Sequence, residues 1–178
     1  MRVATIIVLS ACACFAAEQG RWLDVPFVQQ PEDGCGAASI AMVMQYWEQQ
    51  RREQVTPSSD VAHVQQAIFT EQAKGAYASA VERYLQNHGY ATYVVHGDEA
   101  LLEHHIARGR PLIVALKPSS SPRLHYVVVA GFDPGQHLLL INDPAQRKLL
   151  KVNSSDFDQE WKATGNWTLL ALPRSGAQ

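Results

Sequence analysis

Near Gly89 the spacing of apolar residues changes from helical to strand-like. Before it, Ile40, Ala41, Val43, Met44 and Trp47 recur every three or four residues, as do Val61, Val64 and Ile68, and then Tyr77, Val81, Tyr84 and Leu85. Each set marks one buried helical face. The spacing predicts helices over 35–50, 59–69 and 77–88, the second capped within the turn Pro57-Ser58-Ser59 and the third stopped by Gly89. Beyond it, "YATYVVH" (90–96) reads as a strand, "DEALLEHHIARG" (98–109) as a helix and "PLIVALK" (111–117) as a strand. "LHYVVVAGFD", "HLLLINDP" and "KLLKVN" follow, separated by the turn signals Asp133-Pro134-Gly135 and Asp143-Pro144-Ala145-Gln146. They predict consecutive antiparallel strands, followed by a short helix in "SSDFDQEW" and a last strand, "WTLLALP". Helices first and strands last predict an α+β domain, with an N-terminal helical half packed on a C-terminal antiparallel sheet.

The start of the chain reads differently. Residues 1–17 carry one positive charge, the apolar run "VATIIVLSACACFAA" and then polar Glu18-Gln19. That run is too short to span a bilayer stably and has the form of an export signal, so residues 18–178 are expected to form one folded domain outside the cytoplasm, in a bacterial periplasm. Two endings compete for the signal. Leu9-Ser10-Ala11-Cys12 has the form of a lipobox, which would leave a lipidated Cys12 anchored to a membrane, and Cys14-Phe15-Ala16 offers a small-x-small cleavage site. The bland alternative is a plain apolar strand or helix. A net charge of −2 and a pI near 6.4, with charges of both signs mixed along the chain, argue against a nucleic-acid partner. No repeat is visible, and "PSSS" at 118–121 is the low-complexity patch.

Removal of the leader run leaves Cys35 as the lone thiol of the body, unable to form an internal disulfide. It lies between Gly34 and Gly36 at the head of the first predicted helix, where free N–H groups favour an anion and the glycines would allow a tight turn and clear space beside the sulfur. A cysteine before an apolar helix is more often a small buried hydrophobe, so this feature alone is weak. His125 opens an apolar strand, and Asp143 closes the next one. A hairpin through 133–136 would bring them together, the geometry in which a carboxylate orients a base, although Asp before Pro also simply begins turns. His63, His88, His96, His104, His105 and His137 have no evident partner, and no zinc spacing occurs, so neither metal nor cofactor is expected.

Together "QQPEDGCG" (29–36), "AASIAMVMQYW", "GRPLIVALK", "HYVVVAGFD" and "LLINDPA" resemble the bacteriocin-processing, double-glycine peptidases, papain-like cysteine peptidases of family thirty-nine, and their stand-alone relatives. The resemblance spans residues 23–172. It implies a papain-like fold in which Cys35 is the nucleophile, His125 the general base and acid, Asp143 the residue that orients the imidazole, and Gln29 the oxyanion-hole glutamine, with Gln30 the adjacent candidate. It further implies a monomer that cleaves a peptide or protein substrate, such as cargo of a dedicated export system. Unlike the best-known members, this chain carries no exporter span or ATPase loop, which leaves open whether a double-glycine leader is its target. A non-catalytic peptide-binding or maturation factor, and an acyltransferase or amidase, are the competing readings. Specificity is expected in the loops 70–76 and 117–123.

Overall fold

A computed structural model describes residues 20–174; the proposed signal at 1–17 lies outside the described residues. In chain order the elements are β1 (Arg21–Trp22), α1 (Cys35–Gln50), a 3-10 turn (Pro57–Ser59), α2 (Val61–Ile68), α3 (Ala78–Asn87), β2 (Tyr90–His96), α4 (Glu99–Ile106), β3 (Leu112–Leu116), β4 (His125–Asp133), β5 (Leu138–Asp143), β6 (Arg147–Asn153), α5 (Ser154–Lys162) and β7 (Trp167–Pro173). The strands form one antiparallel sheet in the order β2-β7-β3-β4-β5-β6. β1 pairs with the far end of β4, Trp22 opposite Gly131, where a Cβ would stand 2.6 Å from the Arg21 carbonyl oxygen. Only glycine admits that approach.

The expected α+β class holds, and the layering is fuller than the sequence reading gave. α1, α2 and α3 cover one face, where Ile40, Met44, Val64 and Leu85 meet Tyr126 and Val128. The opposite face is covered by α4 and α5, whose Leu102, Ile106, Phe157 and Trp161 meet Val127, Val129 and Ile141. The central strand explains why both faces need cover. Every residue of Leu112–Leu116 is buried, and a continuous apolar run exposes as much surface on one side of a strand as on the other.

The second predicted helix starts two residues late. Asp60 caps α2 by accepting from the N–H groups of Ala62 and His63, whereas Ser59 is drawn inward and donates to Glu48 Oε2 at 2.8 Å. Glu48 is a charged side chain buried on α1, and its other oxygen accepts from Thr56 Oγ1 at 2.7 Å. A buried carboxylate persists only with such partners. Glu48→Ala removes the charged acceptor both hydroxyls share, leaving Ser59 the Thr56 carbonyl and Thr56 the Ser58 hydroxyl, and should lower unfolding free energy by about 2 kcal/mol in urea titration; a change within 0.5 kcal/mol, the ordinary range for surface substitutions, would mean the cluster contributes little.

Candidate active site

The loop before α1 is built by close approach. Gly34 N–H donates to the Pro31 carbonyl at 3.0 Å, closing a turn in which Asp33 takes the left-handed backbone (φ 54°). Gly34 itself has an ordinary φ of −101°. Glycine is needed there because a Cβ would lie 2.2 Å from Gln65 Oε1 and 2.7 Å from the Pro31 ring, and Gln65 in turn donates to the Glu32 carbonyl at 2.8 Å. Gly36 is buried against Ala76 and Tyr126, so its small size serves packing across α1 rather than space beside the sulfur. α1 begins at Cys35 with no side-chain cap and no acidic residue in its first turn, which leaves its positive end open toward the sulfur. Cys35 is partly exposed, its Sγ 4.0 Å from the carbonyl oxygen of Leu124, the residue before His125.

The β4–β5 hairpin brings His125 and Asp143 together as its register requires: Val128 faces Asn142 and Val129 faces Ile141, so the start of one strand lies beside the end of the next. His125 Nε2 is 2.8 Å from Asp143 Oδ1. Asp143 also serves the turn it begins. Its Oδ1 accepts from Ala145 N–H at 2.9 Å, its carbonyl from Gln146 N–H at 2.9 Å, and its Oδ2 from Gln146 Nε2 at 2.6 Å. Turn chemistry and imidazole orientation thus share one carboxylate. Burial alone would lower the pKa of His125, but the bond to Asp143, the contact with Cys35 and the charges of both outweigh it and raise it from 6.5 to about 9. Burial tends to raise the Asp143 pKa; the bonds from His125, Ala145 and Gln146 prevail and hold it below the usual carboxylate range. With Nε2 committed to Asp143, Nδ1 is the ring nitrogen left for the sulfur.

Cys35 and His125 open into one cleft of about 450 Å³. Both loops expected to set specificity line it, 70–76 through Ala73, Lys74 and Gly75 and 117–123 through Ser120, Ser121 and Arg123. Arg123 and Asp33 form an ion pair at 2.6 Å between the residue two before His125 and the residue two before Cys35. The glutamines separate. Gln29 is exposed and does not line the cleft; Gln30 does, and its buried Oε1 has no hydrogen-bond partner among the described residues. The cause is local: Gln30 N–H donates to the Pro144 carbonyl at 3.0 Å, which fixes Gln30 against the turn after Asp143 and sends its neighbour outward. Spacing from the cysteine favoured Gln29, and only contact with the 143–146 turn, far off in the chain, separates the two. Gln146 and the Asp33–Arg123 pair carry no sequence signal of their own.

The other histidines stay away from the cleft. His88 Nδ1 lies 2.7 Å from the Tyr84 carbonyl, His96 Nδ1 2.6 Å from the Gly165 carbonyl, and His104 next to Arg108. They close helix and strand ends.

The fold resembles known structures. The peptidase domain of Streptococcus ComA, a bi-functional ABC transporter involved in quorum sensing, superposes with a TM-score of 0.66 at 22% identity, covering 84% of this chain and 98% of that one. A putative C39-like peptidase from Bacillus anthracis gives 0.64 at 20% identity, covering 89% and 100%. A double glycine motif protease from an AMS/PCAT transporter, solved in complex with the leader peptide, gives 0.62 at 24% identity, covering 86% and 94%. No curated protein matches the chain. The model of the Peptidase_C39 like family matches residues 22–169, and this chain, with its α+β peptidase fold, belongs to that family of cysteine peptidases.

Proposed function

We propose that the protein hydrolyses peptide bonds by acyl transfer through Cys35, with His125 as general base and acid, Asp143 holding the imidazole, and Gln30 acting with the Cys35 N–H on the oxyanion. The observation that carries this reading is the 2.8 Å bond from the carboxylate to the imidazole, with the sulfur at an uncapped helix end lining the same open cleft as the ring. In the first step the thiolate attacks the carbonyl and His125 gives its proton to the leaving amine; in the second, His125 takes a proton from water, whose hydroxide displaces the thiolate, releasing the acid and restoring the thiolate–imidazolium pair. Gln30 fits the oxyanion role because it lines the cleft and is the glutamine held against the turn beside Asp143. Gln30→Ala should cost on the order of 100-fold in turnover, and Gln29→Ala should stay near the native rate. The reverse ranking in steady-state assays would return the role to Gln29.

The substrate is a peptide segment of an exported protein, met outside the cytoplasm after removal of residues 1–17 or lipidation of Cys12. The leader peptide bound by one structural neighbour supports a peptide ligand. The export signal in the sequence supports the compartment. Exported proteins from cells carrying native Cys35 or Cys35→Ala, compared by N-terminal peptide sequencing, should differ by a new N-terminus that requires the thiol. Identical N-termini in the two samples would refute cleavage of an exported protein.

A further inference from the structure

A second hollow, of about 420 Å³, meets the first at His125. Cys35 lines only the first, whereas Asp143 lines only the second. Strand alternation explains the arrangement. Along β4 and β5, Tyr126 and Val128 face α1, while Val127, Val129 and Ile141 face α5. His125 and Asp143 are two residues from Val127 and Ile141 and share their side of the sheet. The nucleophile therefore approaches from one face of the sheet end, and the second hollow opens on the other, with the imidazole at the junction.

Ile141, Leu150, Val152 and Phe157 supply an apolar lining, although Pro118 and Ser120 keep the hollow continuous with the cleft. Asp156 and Glu160 of α5 stand at its wall, no lysine or arginine among the described residues lines it, and its one cationic group, His125, is already paired with Asp143. We infer that this hollow is the subsite for the amine-side chain released as the acyl-enzyme forms, and that it takes a large apolar side chain and rejects a carboxylate. The inference rests on the peptidase reading above. The acyl group stays on the sulfur side, where the departing amine takes its proton from His125 Nδ1, and the released chain extends from there past the ring, along the Pro118 and Ser120 lining that both hollows share, to set its side chain in the hollow beyond. Once there, a leucine-sized side chain meets apolar walls, and an acidic one meets two carboxylates.

Partitioning of the acyl-enzyme tests this. An N-blocked peptide p-nitrophenyl ester loads Cys35, and the burst of nitrophenol counts the acyl-enzyme formed. Amino acid amides then compete with water: the amine attacks the thioester carbonyl, the new C–N bond replaces C–S, and the amine proton passes to His125 as the thiolate leaves. Leucinamide should capture the acyl group at least about tenfold better than glycinamide, and the α-amide of glutamate should do worse than glycinamide. Rates are normalised to the burst. Leu150→Ala should narrow the leucine preference several-fold, and Glu160→Lys should improve capture by the glutamate amide. A burst with equal capture of all three amides by the native enzyme overturns the subsite and leaves the peptidase reading standing. Absence of any Cys35-dependent release of nitrophenol, in a burst or in steady state, overturns both.

Discussion

Replacement of Cys35 by alanine is expected to abolish acyl-enzyme formation, and His125→Ala to remove the excess reactivity of the thiol while leaving it in place. The two effects separate because the residues do different work. No second cysteine exists in residues 18–178, so nothing can substitute for the sulfur. His125 holds its proton up to about pH 9, which sets a cation beside the sulfur throughout the neutral range. A neighbouring imidazolium and an open helix N-terminus both stabilise the negative charge of an attacking sulfur. At pH 5.5 iodoacetamide should therefore label native Cys35 on the order of 100-fold faster than a model thiol, a figure already reduced for the weaker nucleophilicity of stabilised thiolates. In His125→Ala the rate should fall to near that of the model thiol. Labelling that is slow in the native protein and indifferent to His125 would exclude an ion-paired nucleophile.

Much of the fold was legible because hydrophobic period is a local property. The helical spacing around Ile40 and Met44 and the turns at 133–136 and 143–146 place their elements within a residue or two of the observed ends. What escaped the sequence was set by contacts between distant segments. Ser59 looked like a cap until the buried Glu48 claimed its hydroxyl. Gly34 looked like the residue that lets the chain turn tightly, yet Asp33 takes the left-handed backbone there and the glycine makes room for Gln65. The run "PLIVALK" announced a strand but not that it would lie buried mid-sheet with helices on both faces.

The site divides along the same line. Cys35, His125 and Asp143 could be nominated in advance because each sits at the end of an element, where side chains reach past the packed core, and hairpin register fixed the last two relative to each other. The glutamine could not be settled in that way. Residues 29 and 30 lie in an extended segment before α1 with no period to orient them. A single bond from Gln30 N–H to Pro144 decides which one faces the cleft, and it joins positions more than a hundred residues apart.

Asp143→Asn should keep the geometry and remove the charge, which makes it the sharper test of the carboxylate. An asparagine oxygen can still accept from His125 Nε2 and Ala145 N–H, and rotation of the Gln146 amide lets its oxygen accept from the new NH₂ group. What disappears is the negative charge that, with Cys35, holds the His125 proton against desolvation. The sign follows directly. Desolvation lowers an imidazole pKa, so without the carboxylate the value must fall from about 9 toward or below the ordinary 6.5. The cationic ring is present below that value and lost above it, so the alkaline limb of kcat/KM, expected near pH 9 for the native enzyme, should move to lower pH. At pH 7 the variant should lose on the order of 10² to 10⁴ in rate, and part of the loss should return as the pH is lowered. Gln146→Ala should act at the other end of the profile: loss of its bond lets the Asp143 pKa rise, and the acid limb should shift upward with little change in the alkaline one. An alkaline limb that stays near 9 in Asp143→Asn would mean that another group sets it and that the carboxylate does not govern the imidazole.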